Sequence, residues 1–161
     1  MPDIPIKALE TAAMSRRKPT APSHLNAGEY RQLASFRYAL RTFLRFSESE
    51  AEKAGLSAQQ YQALLVVCAR GEQFTINDLA QQLLIRHNSA VGLVDRLSEQ
   101  GLIAREPSPE DRRKVHLRLT AKGDRVLRKL AAVHREELRR IGRQLEALLH
   151  EITQGNGTET T

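Results

Sequence analysis

Two short stretches carry side chains whose types and spacing suit recognition of a polyanion with planar base edges. The first is Arg86-His87-Asn88-Ser89, followed within the next turns by Val91, Gly92 and Asp95. Arginine can donate two hydrogen bonds to guanine, asparagine can pair with the donor and acceptor of adenine, and a valine methyl can meet that of thymine. Gly92 leaves the backbone bare for close approach. The second stretch is Arg112-Arg113-Lys114, three adjacent cations suited to phosphate or to a narrow minor groove. Catalytic chemistry has no such foothold. His24, His87, His116, His134 and His150 are scattered, and no His, Cys or acid group has metal-ligand spacing. No nucleophile elbow, phosphate-binding glycine loop or paired-carboxylate motif occurs. The expectation is a protein that is not an enzyme and takes no metal or cofactor.

Charged runs are usually solvated faces, so what matters is the element that holds each stretch. Thr75, with Asp78 three residues on, forms a capping box for a helix that brings Leu79, Ala80 and Leu83 to one face. After a break at residues 84–86, Ala90, Leu93, Val94 and Leu97 form a second apolar stripe, which Gly101 ends. The first candidate stretch therefore lies at the start and on the opposite face of this second helix. Two helices with so short a joint form a helix-turn-helix, whose second member can enter a major groove. Residues 102–105 then read as a strand, 107–114 as a polar turn and Val115–Leu119 as an alternating return strand. The second stretch sits at the tip of this hairpin, which makes it a basic wing.

The same residues bear a family resemblance. Leu79-Ala80, the run LVDRL at 93–97, Gly101-Leu102-Ile103, EDRR at 110–113, Leu119-Thr120 and Lys122-Gly123 follow one another as in the MarR family of bacterial winged helix-turn-helix regulators. The likeness extends more loosely over residues 26–152. It implies that Arg86, His87, Asn88, Ser89, Val91, Gly92, Arg112, Arg113 and Lys114 meet double-stranded DNA. Members often carry a small capping residue where Arg86 stands, which leaves two roles open for Asn88, base contact or helix cap. Asp111 is expected to pair with an arginine, with Arg96 the candidate. The family also implies a homodimer, and release from DNA by a small aromatic acid or phenol. Arg37, Arg41 and Tyr61 would supply a cation and a phenol for such a ligand. Some members sense oxidants through cysteine; Cys68, within the apolar run LLVVCAR, reads instead as an inert core thiol.

The chain has 161 residues, one domain's worth, and 25 Lys and Arg against 19 Asp and Glu give a net charge of +6. Aromatics make up only 4% and Trp is absent, which disfavours a stacking platform for single strands. A single cysteine excludes an internal disulfide and suits the cytoplasm; no apolar run approaches membrane-spanning length. Residues 1–25, with Pro2, Pro5, Pro19, Pro22 and the cluster Arg16-Arg17-Lys18, read as a flexible basic arm, and 153–161 as a disordered tail. Between them, 26–54 and 121–152 read as long helices flanking a DNA-binding winged helix at about 57–120. On the helix that Ser57 opens, Tyr61, Leu64, Leu65 and Cys68 are expected to face inward. In the last helix Leu127, Leu130, His134, Leu138, Ile141, Leu145, Leu148 and Ile152 step by three and four, and Gly142 is expected to bend or split it. That seam and the broad apolar flanks of the first helix need covering, and the resemblance assigns a second copy to them. The fold class is mainly α (α+β), a winged helix-turn-helix with long N- and C-terminal dimerisation helices and a small β-hairpin wing. The alternative function is a winged helix that binds an acidic protein; a Cys68-based oxidant sensor ranks below it.

Overall fold

The computed structural model describes residues 25–71, 73–108 and 114–154. Among the described residues, five helices and one hairpin follow in the order α1 (Ala27–Lys53), α2 (Ala58–Arg70), α3 (Ile76–Gln82), α4 (His87–Glu99), β1 (Ile103–Pro107), β2 (Val115–Leu119) and α5 (Ala121–Gln154). The arm at 1–24, the wing tip at 109–113 and the tail from 155 lie outside the described residues. The fold is mainly helical, with an antiparallel two-strand wing.

Local chemistry sets most of the boundaries. Asn26, Ser57 and Thr75 each accept a hydrogen bond from the third residue of the helix they open, and Glu29, Gln60 and Asp78 accept one in return from the capping residue's N–H. The helix ends are equally systematic. At α1 the left-handed Gly55 (φ +76°) lets Leu56 N–H donate to the Ala51 carbonyl, and at α4 Gly101 (φ +68°) lets Leu102 N–H donate to Leu97. Helix α3 ends by the same turn, with Ile85 N–H donating to Ala80, but its left-handed position is Leu84 (φ +53°). Leu84 is 93% exposed, so burial offsets none of that backbone cost.

The core lies under the winged helix. Leu64, Leu79, Leu93, Val94, Leu97 and Leu117 are its largest fully buried side chains, drawn from α2, α3, α4 and β2. Each stabilises the fold by roughly 1.5–3 kcal/mol relative to exposure. The hairpin pairs Ile103 with Leu119 and Pro107 with Val115, so β1 runs two residues beyond its predicted end. Leu117 N–H also donates to the Phe74 carbonyl at 2.8 Å, and a bridge joins Thr75 to His116, which fastens the wing to the entry of α3.

Two expectations are corrected by the packing. On α2 the buried face is Gln60, Tyr61, Ala63, Leu64 and Val67, while Leu65 and Cys68 are exposed. The apolar run 64–68 wraps around the helix, and only one side of it meets the core. Gly142 does not split α5, which is one helix of 34 residues. No atom lies within 4 Å of the Cβ position at Gly142, so nothing there forces a break.

The junction of β1, α4 and α5 explains why a Thr-x-Lys-Gly string opens α5. The Thr120 hydroxyl donates to the Gly101 carbonyl (2.7 Å) and accepts from Gly123 N–H (3.0 Å). Lys122 Nζ donates to the Gln100 carbonyl at the carboxyl end of α4, where a cation is favoured (2.8 Å). A Cβ on Gly123 would lie 2.1 Å from the Leu102 carbonyl oxygen, so only glycine fits. Helix α1 packs along α5, yet Tyr30, Tyr38 and Leu44 on α1 and Val133, Leu138 and Leu149 on α5 stay exposed.

Candidate nucleic-acid interface

Helix α4 presents its amino end outward. Arg86 is the residue before the first turn, in extended conformation (φ −69°, ψ 148°), and its side chain makes no capping hydrogen bond. Its carbonyl accepts from Ser89 and Ala90 N–H at 3.0 and 3.1 Å. Asn88 therefore stands inside the first turn and is not the cap, which removes one of its two roles. Arg86, His87, Asn88 and Ser89 are all exposed on the surface, while Val91, Gly92 and Asp95 are half-buried. Ala90, Leu93, Val94 and Leu97 are buried beneath them. The helix has the rotation its apolar stripe implies.

Asp95 is not free for a partner molecule. Its carboxylate accepts from Arg105 Nη2 at 2.5 Å, joining α4 to β1. Both side chains are partly exposed, so the pair adds little stability, at most about 1 kcal/mol. A sequence signal existed for Arg105, an exposed strand position ten residues after an acid on α4, but strand register was needed to use it. On the wing's outer side Arg118 pairs with Glu106 at 2.6 Å. Lys114 is exposed at the wing's foot, where its carbonyl accepts from Ser108 N–H at 2.9 Å. Arg112, Arg113 and the wing half of the expected Asp111–Arg96 pair lie outside the described residues; Arg96 itself is exposed on α4. Near Lys114 and His87, the surface between α3 and the wing is hollowed, and Asn77 and His116, neither singled out from sequence, line it.

Of the three residues expected around a ligand, Tyr61 is buried and Arg37 and Arg41 are exposed on α1. Tyr61 is 3% exposed, stacked on the His134 ring at 4.4 Å between centroids, with Phe43 and Phe46 meeting the same imidazole edge-on. Burial raises the Tyr61 phenol above its ordinary pKa. His134 Nδ1 lies 2.7 Å from the Leu130 carbonyl, to which it must donate, and Nε2 lies 2.8 Å from the Ser47 hydroxyl. Tyr61 is thus packing between α1, α2 and α5. Arg37 and Arg41 are exposed on α1, about 15 and 9 Å before Ser47 along the helix axis. Cys68, exposed rather than buried, borders a separate hollow of about 350 Å³ with Val67, Leu117, Thr120 and Asp124. Among the described residues no group of three or more His, Cys, Asp or Glu could hold a metal ion, and no helix is long and apolar enough to cross a membrane.

Residues 54–114 match the model of the MarR family. The chain is 27% identical over 107 residues to the uncharacterized helix-turn-helix-type transcriptional regulator YkoM of Bacillus subtilis, covering 65% of this chain and 69% of that one. It spans 50% to 69% of the length of the curated relatives it matches first. Among solved structures, a variant of MepR from Staphylococcus aureus bound to an oligodeoxyribonucleotide superposes with a TM-score of 0.62 at 19% identity, over 76% of this chain and 95% of that one. CouR from Rhodococcus jostii bound to p-coumaroyl-CoA gives 0.57 at 24%, over 74% and 88%. At these identities the two structures show a shared fold.

Proposed function

The chain belongs to the MarR family of transcriptional regulators through its winged helix at residues 54–114, and from that premise we propose that it is a dimeric, sequence-specific repressor of transcription. The observation that carries this reading is the amino end of α4. It offers Arg86, His87, Asn88, Ser89, Val91 and Gly92 on a convex outward face, with the cationic wing foot at Lys114 beside it. Each subunit inserts α4 into a major groove and sets Arg112, Arg113 and Lys114 against the flanking backbone or minor groove. Two-fold symmetry then demands a pseudo-palindromic operator with half-sites about one helical turn apart, roughly 10 bp. The dimer is supported by the apolar side chains that α1 and α5 leave exposed in one chain. Repression follows from occupancy that blocks polymerase, in the cytoplasm where the genes are.

A small aromatic acid or phenol releases the protein by favouring a spacing of the two α4 helices that misfits the grooves. The ligand-bound CouR structure supports a ligand of some kind on this fold. In this chain Arg37 and Arg41 remain available to a carboxylate, while Tyr61 can contribute only as a packed wall. The deciding experiment is enrichment of genomic fragments on the purified protein, followed by binding titrations of the recovered duplex at rising salt. A steep salt dependence and a shared inverted repeat are expected. Binding to an acidic protein, with no duplex retained at low salt, would instead establish the interaction-module reading.

A further inference from the structure

Two shallow hollows adjoin between α3, the start of α4 and the foot of the wing. One, of about 250 Å³, is lined by Thr75, Ile76, Asn77, His87, Lys114 and Val115. The other, of about 290 Å³, shares Thr75, Asn77 and Lys114 and continues to Asp78 and His116. Together they form one groove whose walls come from three elements. Backbone bonds hold those walls in place: Leu117 N–H to the Phe74 carbonyl, the Thr75–His116 bridge, and Ser108 N–H to the Lys114 carbonyl. The position of Lys114 beside Asn77 thus does not depend on any side-chain pairing.

The chemistry of the first hollow is one-sided. The side chains of Asn77, His87 and Lys114 have no hydrogen-bond or ion-pair partner among the described residues. Among the described residues Asp78 is the one carboxylate lining the groove; it lies in the second hollow and accepts from Thr75 N–H (2.9 Å) and Oγ1 (2.7 Å). Both bonds fall on Oδ2, which is committed to capping α3. What remains in the first hollow is an amide, an imidazole and an ammonium, with no carboxylate among the described residues that line it. Such a set suits a singly charged group with two acceptor oxygens.

We propose that this groove seats one backbone phosphodiester of the DNA, bound by Asn77, His87 and Lys114, and that the seat sets the depth and rotation at which α4 enters the major groove. The inference rests on the DNA-binding reading above and extends it to Asn77, which lies outside both the recognition helix and the basic tip. Because phosphate contacts position the protein without reading sequence, the seat acts equally on every duplex. That separates it from any base contact made by Asn88.

The test uses the full chain, the duplex recovered by genomic enrichment, and copies of that duplex carrying a neutral methylphosphonate at one backbone position at a time. In wild type, one position per half-site should cost about tenfold in affinity, as removal of a charged hydrogen-bonding group does. Asn77→Asp should weaken binding to specific and mixed-sequence duplexes alike by about tenfold or more. Its melting temperature should be unchanged or raised, because an acid is favoured in the first turn of a helix. The methylphosphonate at the seat should also cost Asn77→Asp less than it costs wild type. Lys114→Ala should lower the log-affinity versus log-salt slope by about one unit per subunit. If wild type binds the operator while Asn77→Asp matches it on every duplex, or no methylphosphonate position couples to Asn77, the seat is wrong and the DNA-binding reading stands. A wild-type protein that retains no duplex even at low salt overturns that reading, and the seat with it.

Discussion

At the scale of single residues, Asn88 and Leu84 bracket what the joint between α3 and α4 does. Asn88 is exposed inside the first turn of α4, so replacing it removes no cap. Asn88→Ala should therefore leave the melting temperature in place and cost roughly 1–3 kcal/mol on the preferred site, with little effect on non-specific DNA. Parallel thermal melts and a panel of single-base operator variants would check it. Equal weakening on all sequences would mean that Asn88 does not read a base. Leu84 is a different kind of residue, held at φ +53° with 93% of its surface exposed. Left-handed backbone costs a leucine roughly 1–2 kcal/mol, and glycine gives back part of that in unfolded-chain entropy, roughly 0.5–1 kcal/mol. Leu84→Gly should stabilise the protein by about 1 kcal/mol, seen as a rise of a few degrees in Tm. A fall would show that the leucine makes contacts that outweigh its strain.

Among the elements, the turn into α5 and the wing make separable claims. By helix propensity alone, Gly123→Ala should stabilise α5 by about 1 kcal/mol. The close approach to the Leu102 carbonyl predicts the opposite sign, because the new Cβ would sit 2.1 Å from that oxygen. Overpacking of this kind costs roughly 1–3 kcal/mol, so the variant should be destabilised in denaturant titrations. The shift would also tilt the wing, whose β1 begins next to Leu102. The wing's own test is electrostatic. Arg112→Ala with Arg113→Ala should leave stability nearly unaltered and weaken operator binding. The salt slope should flatten by about one unit for each phosphate that is no longer neutralised. Unchanged affinity and slope in the double variant would take the wing tip out of the mechanism.

For the molecule as a whole, the deciding matter is what covers α1 and α5. Leu138 is 45% exposed and Leu145 half-buried along the α5 seam, although both continue the spacing of the buried Leu127, Leu130 and Ile141. If a second copy covers that seam, Leu138→Asp with Leu145→Asp places unpaired charges in the interface and costs several kcal/mol. Sedimentation should then convert a wild-type dimer into a folded monomer without high-affinity binding to a two-fold operator. A wild-type monomer at micromolar concentration would defeat the dimer outright.

How much of this is legible without coordinates depends on whether the deciding interaction is local. Capping boxes at Ser57 and Thr75, the glycine turns after α1 and α4, and the buried stripe of α4 all follow from residues within one or two turns of one another. Periodicity and short-range hydrogen bonding suffice for these. The tertiary structure decides what depends on residues distant in the chain. By sequence Tyr61 reads as a ligand's phenol and Cys68 as a core thiol. Packing exposes Cys68, because α2 meets the core along one side only, and it sets His134, far along the chain on α5, beside the buried Tyr61. Asp95 is open to a base by helix rotation alone, but strand register brings Arg105 to it. Asn77, His87 and Lys114 are well separated in sequence. They become one groove only because β2 bonds to the residue that precedes Thr75, at the entry of α3.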